Sequence, residues 1–177
     1  RVPRMAFVNK MDRVGADFDR CISMMRSRLK AAPVAVQLPW GVEADFQGVI
    51  DLVRMKGIAY DTDSLGADYQ LTDIPMELEE SAQAMREQMI ETVAETDDAL
   101  LEKYFETGEV SQEEIEHAFP RALRAGNIVP VLHVSAEKGV GLRKLMTFIV
   151  HDCPTPAELV VRKAVDADGE KVVVDPA

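Results

Sequence analysis

The chain is poor in the side chains that build cross-linked or metal-held folds. Its two cysteines, Cys21 and Cys153, stand far apart and at neither a C-x-x-C nor a zinc-ligand spacing. That excludes a disulfide framework and a structural metal site, and leaves two buried apolar thiols as the expectation. Three histidines, His117, His133 and His151, are unclustered, so no Ser/His/Asp or Cys/His arrangement can be drawn from spacing. No apolar run approaches the roughly 18 residues of a membrane span. The first eight residues carry scattered charge and no small-residue cleavage site, unlike a secretory signal. A cytoplasmic protein without membrane contact is expected.

Bases are also scarce: 20 Lys and Arg face 31 Asp and Glu, a formal net charge of -11. The deficit is local. Residues 73–117 hold fifteen acids against two bases, Arg86 and Lys103. Such a segment repels phosphate backbones and attracts a Lys/Arg-bearing protein surface, so no direct sequence-specific nucleic-acid binding is expected of it. For most of these acids a solvated helix face is sufficient explanation. With 177 residues, 47% of them hydrophobic, the chain can bury a core as one domain, or one domain with a compact insertion.

Residues 2–8 form a short apolar run ending in polar residues and Gly15, the pattern of a buried strand entering a loop. Asp17 is a natural N-cap for a helix with Phe18, Ile22, Met25 and Leu29 on one face. Strand, polar loop and amphipathic helix make half a βαβ unit, and open α/β sheets bind ligands at such loops. Extended segments are expected over 34–38, 48–53 and 56–60, the last two as a hairpin around Arg54 and Met55, followed by a surface loop over 61–73. Pro75 opens a helix striped by Leu78, Ala82, Met85, Met89 and Val93, Asp97 caps a second, and Ser111 with Glu114 forms the capping box of a third. Pro120 should kink or split that third helix. Residues 128–134 read as a buried strand with an irregularity at Pro130, and a last helix carries Leu142, Leu145, Met146, Ile149 and Val150. The tail alternates valine runs around a turn signal at 166–169.

Two loops thus leave the C-terminal ends of buried strands, one with Asn9-Lys10-Met11-Asp12 and the other with Ser135-Ala136. They can meet over one ligand. A carboxylate accepts two hydrogen bonds from adjacent donors on a planar base, and guanine offers that pair on its Watson–Crick edge where adenine does not. Asp12 would read it. Asn9 can donate its amide to a ring acceptor and tie the loops together, the Lys10 stem can lie across base or ribose, and the Ala136 N–H can meet the exocyclic oxygen. Asn-Lys-x-Asp alone is weak evidence, since a polar strand-to-helix loop also explains it; the strand before it and the second loop raise the weight.

Asn9-Lys10-Met11-Asp12-Arg13 with Gly15-Ala16-Asp17-Phe18 resembles the base-specificity motif of the translational GTPases, and within them the elongation factor G group. The resemblance continues through 33–39, 46–53, Glu102-Lys103-Tyr104, Ile128-Val129-Pro130-Val131, and Ser135-Ala136 with Gly139-Val140. It implies an α/β fold: the C-terminal half of a P-loop GTPase-type parallel sheet, over 1–32 and 127–157, interrupted by an acidic α+β insertion subdomain over 33–126, with 158–177 as a linker towards a following domain. It further implies a ribosome-dependent GTPase fragment acting in translocation or recycling. GTP or GDP would be held by Asn9, Lys10, Asp12, Ser135 and Ala136, and the insertion would face the ribosomal stalk protein. The chain has no G-x-x-x-x-G-K-[ST] loop, no switch threonine and no Asp-x-x-Gly ahead of Asn9 to hold a magnesium shell. The catalytic parts and the Mg2+ ligands are therefore expected upstream, in the rest of a parent chain. Val134, Trp40, Pro120 and the Asp-Gly tail depart from the family pattern and point to an elongation factor G-like paralogue. The alternative is a non-catalytic ribosome or stalk-protein interaction module.

Overall fold

A computed structural model describes residues 2–155, 162–165 and 170–174. Three strands, β1 (Ala6–Val8), β2 (Pro33–Ala35) and β7 (Val129–His133), form a parallel sheet in the order β1-β7-β2, with α1 (Phe18–Leu29) between β1 and β2 in sequence. A second, antiparallel sheet follows the chain: β3 (Gln37–Trp40), β4 (Gly48–Asp51), β5 (Lys56–Tyr60) and β6 (Tyr69–Thr72). Three helices, α2 (Met76–Ala94), α3 (Asp98–Thr107) and α4 (Gln112–Ala125), lead back to β7, after which come α5 (Leu142–Asp152) and an antiparallel pair, β8 (Arg162–Val165) and β9 (Lys171–Val174). The turn expected at 166–169 lies outside the described residues.

Helix starts follow local chemistry. Asp17 and Asp97 accept N–H bonds from Arg20 and Leu100, and Ser111 with Glu114 closes a complete capping box. Of the stripe expected on α2, Ala82, Met89 and Val93 are buried and Leu78 and Met85 partly so, and Ile90, outside that stripe, is buried with them. They join Ile115, Phe119 and Leu123 of α4, Leu132 of β7, Phe148 of α5 and Ile50 of β4 in one core. A smaller cluster joins Met11, Phe18 and Val131 to Phe46, Val49 and Ile58. Each core thus draws on both sheets.

Several expectations are corrected. The extended segment over 34–38 is two strands in two sheets. Val36 is the joint: its N–H donates to Val131 while its carbonyl accepts from Leu52. Pro33–Ala35 pairs with β7, so the boundary drawn at residue 33 would cut the parallel sheet. The loop expected over 61–73 contains β6, held by pairing of Ile58 with Leu71 and Tyr60 with Tyr69; its polar residues and exposed Leu71 hid the strand. Helix α4 runs unbroken through Pro120. The carbonyl that loses its donor belongs to Glu116, an exposed residue where water can replace the bond, while Ala118, Phe119, Ala122 and Leu123 are buried on the packed face. Pro130 is tolerated in a central strand because β1 pairing begins one position later, at Ala6 with Val131. On α1 and α5 the apolar stripes bury only in part: Leu29, Met146, Ile149 and Val150 are exposed. Both cysteines are free and half-buried, with Cys153 against Met5.

His133 ends β7 fully buried, edge-on to Phe18 with ring centroids 4.9 Å apart, and its backbone N–H donates to the Gln37 side chain. Loss of hydration pushes its pKa down to about 3, against a smaller opposing pull from the Leu38 backbone. The folded pKa lies below the unfolded one, so the stability it confers is complete above about pH 6.5 and falls by about 1.4 kcal/mol per pH unit as the medium is acidified towards 3. Urea unfolding of wild type and His133→Leu between pH 7 and 4 should show the variant lacking that slope; parallel pH dependences would refute this assignment.

Candidate functional site

Parallel pairing brings the two loops together. Val8 stands opposite His133 in the β1–β7 ladder, so Asn9 leaves one strand at the level where 134–136 leave the other. Backbone bonds continue past the strands: the Val134 N–H donates to Val8, and the Met11 N–H donates back to Val134. Met11 is buried, which pins the middle of the first loop and leaves Lys10 before it exposed. An isolated bridge between Ser135 and Val140 closes the second loop.

All five residues singled out in the sequence lie at this junction. Asn9 Oδ1 accepts from its neighbour Lys10 N–H at 2.8 Å and, across the junction, from Ala136 N–H at 3.1 Å. Both bonds use the oxygen, so the –NH2 of Asn9 is left for a ligand acceptor. Lys10 adopts φ 65°, a left-handed conformation costly for a residue with a Cβ. The Asn9 side-chain bond to its N–H helps offset that cost. The Asp12 carboxylate is only 7% exposed, and the Ser135 hydroxyl bonded to it holds its pKa below the usual carboxylate range, against an opposing effect of burial. Its own backbone N–H and the charges of Arg13 and Lys138 act in the same direction as Ser135. Ser135 is itself buried and accepts from the Lys138 N–H, so one hydroxyl orients the carboxylate and closes its own loop.

One assignment needs amending. The Ala136 N–H, expected to face an exocyclic oxygen, is engaged by Asn9 Oδ1; a ligand oxygen would have to share or displace that bond. Sequence reasoning quoted Arg13 within the motif but gave it no role; its guanidinium lies near Asp12 at 3.5 Å and pairs with Glu137 of the other loop. It gave Lys138 no role either. The only signal available was their adjacency to the motif residues. Chemically, the junction offers an ionised carboxylate able to accept two adjacent donors, a free amide and a flexible cationic stem, which is the complement of a guanine edge. Among the described residues no group of three or more His, Cys, Asp or Glu side chains could hold a metal ion.

Ser135→Ala should raise the Asp12 pKa, since the largest effect holding it down is lost while burial remains. A carboxyl-carbon NMR titration checks it, and an unmoved midpoint would show that the hydroxyl does not orient Asp12.

The family model of the elongation factor Tu GTP binding domain matches residues 1–155. Among solved structures, the crystal structure of ttk003000868 from Thermus thermophilus is similar, with a TM-score of 0.76 and 33% sequence identity, covering 88% of this chain and 23% of that one. The chain therefore spans less than a quarter of the length of that relative. A match over most of the chain, joined to base-loop geometry of this kind, shows that it belongs to the family of the elongation factor Tu GTP binding domain, the guanine-nucleotide domain of the translational GTPases.

Proposed function

We propose that this chain is the base-recognising half of the GTP-binding domain of a ribosome-dependent GTPase of the elongation factor G type, acting in the cytoplasm in translocation or recycling. The observation that carries the reading is the junction itself: Asn9 bonds to Ala136, 127 positions further along the chain, and Asp12 bonds to Ser135 beside it. In this reading Asp12 accepts the two donors of the guanine edge, Asn9 donates to a ring acceptor, Lys10 covers the base, and Ser135 and Ala136 complete the pocket around GTP or GDP. The phosphate grip, the water-positioning group and the Mg2+ ligands are supplied by residues outside this chain. Two features support a missing complement. β1 is paired on one side with β7 and with no other strand among the described residues, and its Phe7 is 53% exposed.

The acidic segment favours a second role. Exposed carboxylates are carried by α2, α3 and α4, among them Glu80, Glu87, Glu91, Glu102 and Glu113, and α3 also exposes Phe105. This suits docking on a cationic protein such as the ribosomal stalk protein. If docking is all that this chain does, it is an interaction module with the base loops as scaffold. Capture by stalk protein that survives Asp12→Ala, together with unaltered guanine-nucleotide binding, would establish that alternative.

Asp12→Asn replaces a double acceptor with one acceptor and one donor, which complements xanthine in place of guanine. In the longer protein the substitution should weaken GDP binding by roughly a hundredfold or more and improve xanthosine diphosphate binding, as read by competition against a fluorescent nucleotide. Unchanged GDP affinity would sink the base-recognition reading. Residues 1–177 alone should not turn over GTP, because their sequence holds no phosphate-gripping motif; turnover by a clean preparation would overturn that expectation.

A further inference from the structure

Both base loops are held from outside by the antiparallel sheet and its connections. The short 3-10 turn Glu43–Asp45, between β3 and β4, touches each of them. Glu43 Oε1 accepts from the Gly15 N–H at 2.8 Å, just after the Asn9–Asp12 loop, and the Ala44 carbonyl accepts from Lys138 Nζ at 2.9 Å, just after Ser135-Ala136. One turn thus bridges the two loops with a carboxylate on one side and a carbonyl on the other. Glu43 holds a left-handed φ of 51°, a strained conformation that the bond to Gly15 helps to maintain.

A second support comes from the β5–β6 connection. Gly66 and Gly139 are both buried and meet backbone to backbone: a Cβ on Gly139 would lie 1.7 Å from the Leu65 carbonyl oxygen, and a Cβ on Gly66 would lie 2.4 Å from that of Gly139. Gly139 also has φ 75°, so no side chain fits there in this conformation. The loop that carries Ser135 and Ala136 therefore rests directly on the β5–β6 connection, with no intervening side chain to absorb a shift. Lys138 belongs to both systems, donating its N–H to Ser135 and its Nζ to Ala44.

We infer that the turn at Glu43 and Ala44, together with Leu65 and Gly66, is a brace that sets the spacing of the two base loops, with Glu43 and Lys138 as positioning residues, so that movement of the antiparallel sheet is felt as a change in guanine-nucleotide release. This rests on the base-recognition reading above. The physical ground is that Asp12 and Asn9 work only if both loops keep one separation. Between the loops themselves the side-chain ties are few: the Asn9 bond to Ala136, the Ser135 bond to Asp12 and a solvent-exposed Arg13–Glu137 pair. The brace adds bonds from a third element to each loop.

The test is the dissociation rate of a fluorescent GDP from the full-length GTPase. Glu43→Ala and Lys138→Ala should each speed release by roughly three- to tenfold, the value of about one hydrogen bond, with the melting temperature of the apoprotein little changed. Glu43→Gln, which keeps the acceptor, should restore slow release, an outcome that a merely structural role would not produce. Amide exchange at Gly15 should rise in Glu43→Ala and return in Glu43→Gln. Unchanged release in both alanine variants, with Asp12→Ala still impairing GDP binding, overturns the brace and leaves the base site standing. Unimpaired GDP binding in Asp12→Ala overturns the base reading and the brace with it.

Discussion

Everything at the junction depends on the parallel register between β1 and β7. A parallel ladder makes two strands end at the same edge of the sheet, so loops distant in sequence emerge side by side. With Val8 opposite His133, a displacement by one residue would turn each facing side chain over and part Asn9 from Ala136. That register is secured by burial. All five residues of β7 are inaccessible, and Val131 and Leu132 pack into different cores on its two faces. Strand slippage would expose both sets at once.

The antiparallel sheet is tied to this strand at one place. Val36 hands the chain from β2 to β3 while bonding to both sheets, and the next residue, Gln37, is buried with its side-chain carbonyl oxygen on the His133 N–H. Asp51, at the end of β4, is buried and paired with Lys144 of α5, while its other oxygen accepts from Val53 and Arg54 and sets the turn into β5. A buried carboxylate with three donors is a specific joint, because removing Lys144 would take away the cation paired with it and losing either N–H would leave a buried acceptor less satisfied. Arg86 of α2 adds bonds to the Leu52 and Val53 carbonyls at the same turn. The antiparallel sheet is thus joined to β7, α2 and α5 through Val36, Gln37 and the turn after Asp51.

Much of this was legible in order along the chain. Asp17, Asp97 and Ser111 act at short range, where a side chain satisfies an N–H three residues on, and such signals survive in any context. The place of the first loop was legible for a similar reason: four contiguous residues, Asn9 to Asp12, directly follow an apolar strand. Partner identity was less so. Ala136 was assigned to a ligand oxygen, but its N–H is occupied by Asn9, a matter of ångströms that no spacing rule resolves. Pro120 looked disruptive because local rules weigh the lost bond and not the burial of Phe119 and Leu123 beside it.

By itself the sequence determined the helices, their caps, the separation of acidic from neutral segments and the two loops that follow apolar strands, since each depends on periodicity or on chemistry within a few positions. Tertiary structure alone decided that Val36 divides one extended run between two sheets, that 69–72 is a strand, and that Glu43, Ala44, Leu65 and Gly66 stand against the base loops. Those contacts join residues distant in sequence, and each has on at least one side a backbone group common to every amino acid. The residue letters do not encode where such groups meet; only the packed chain does.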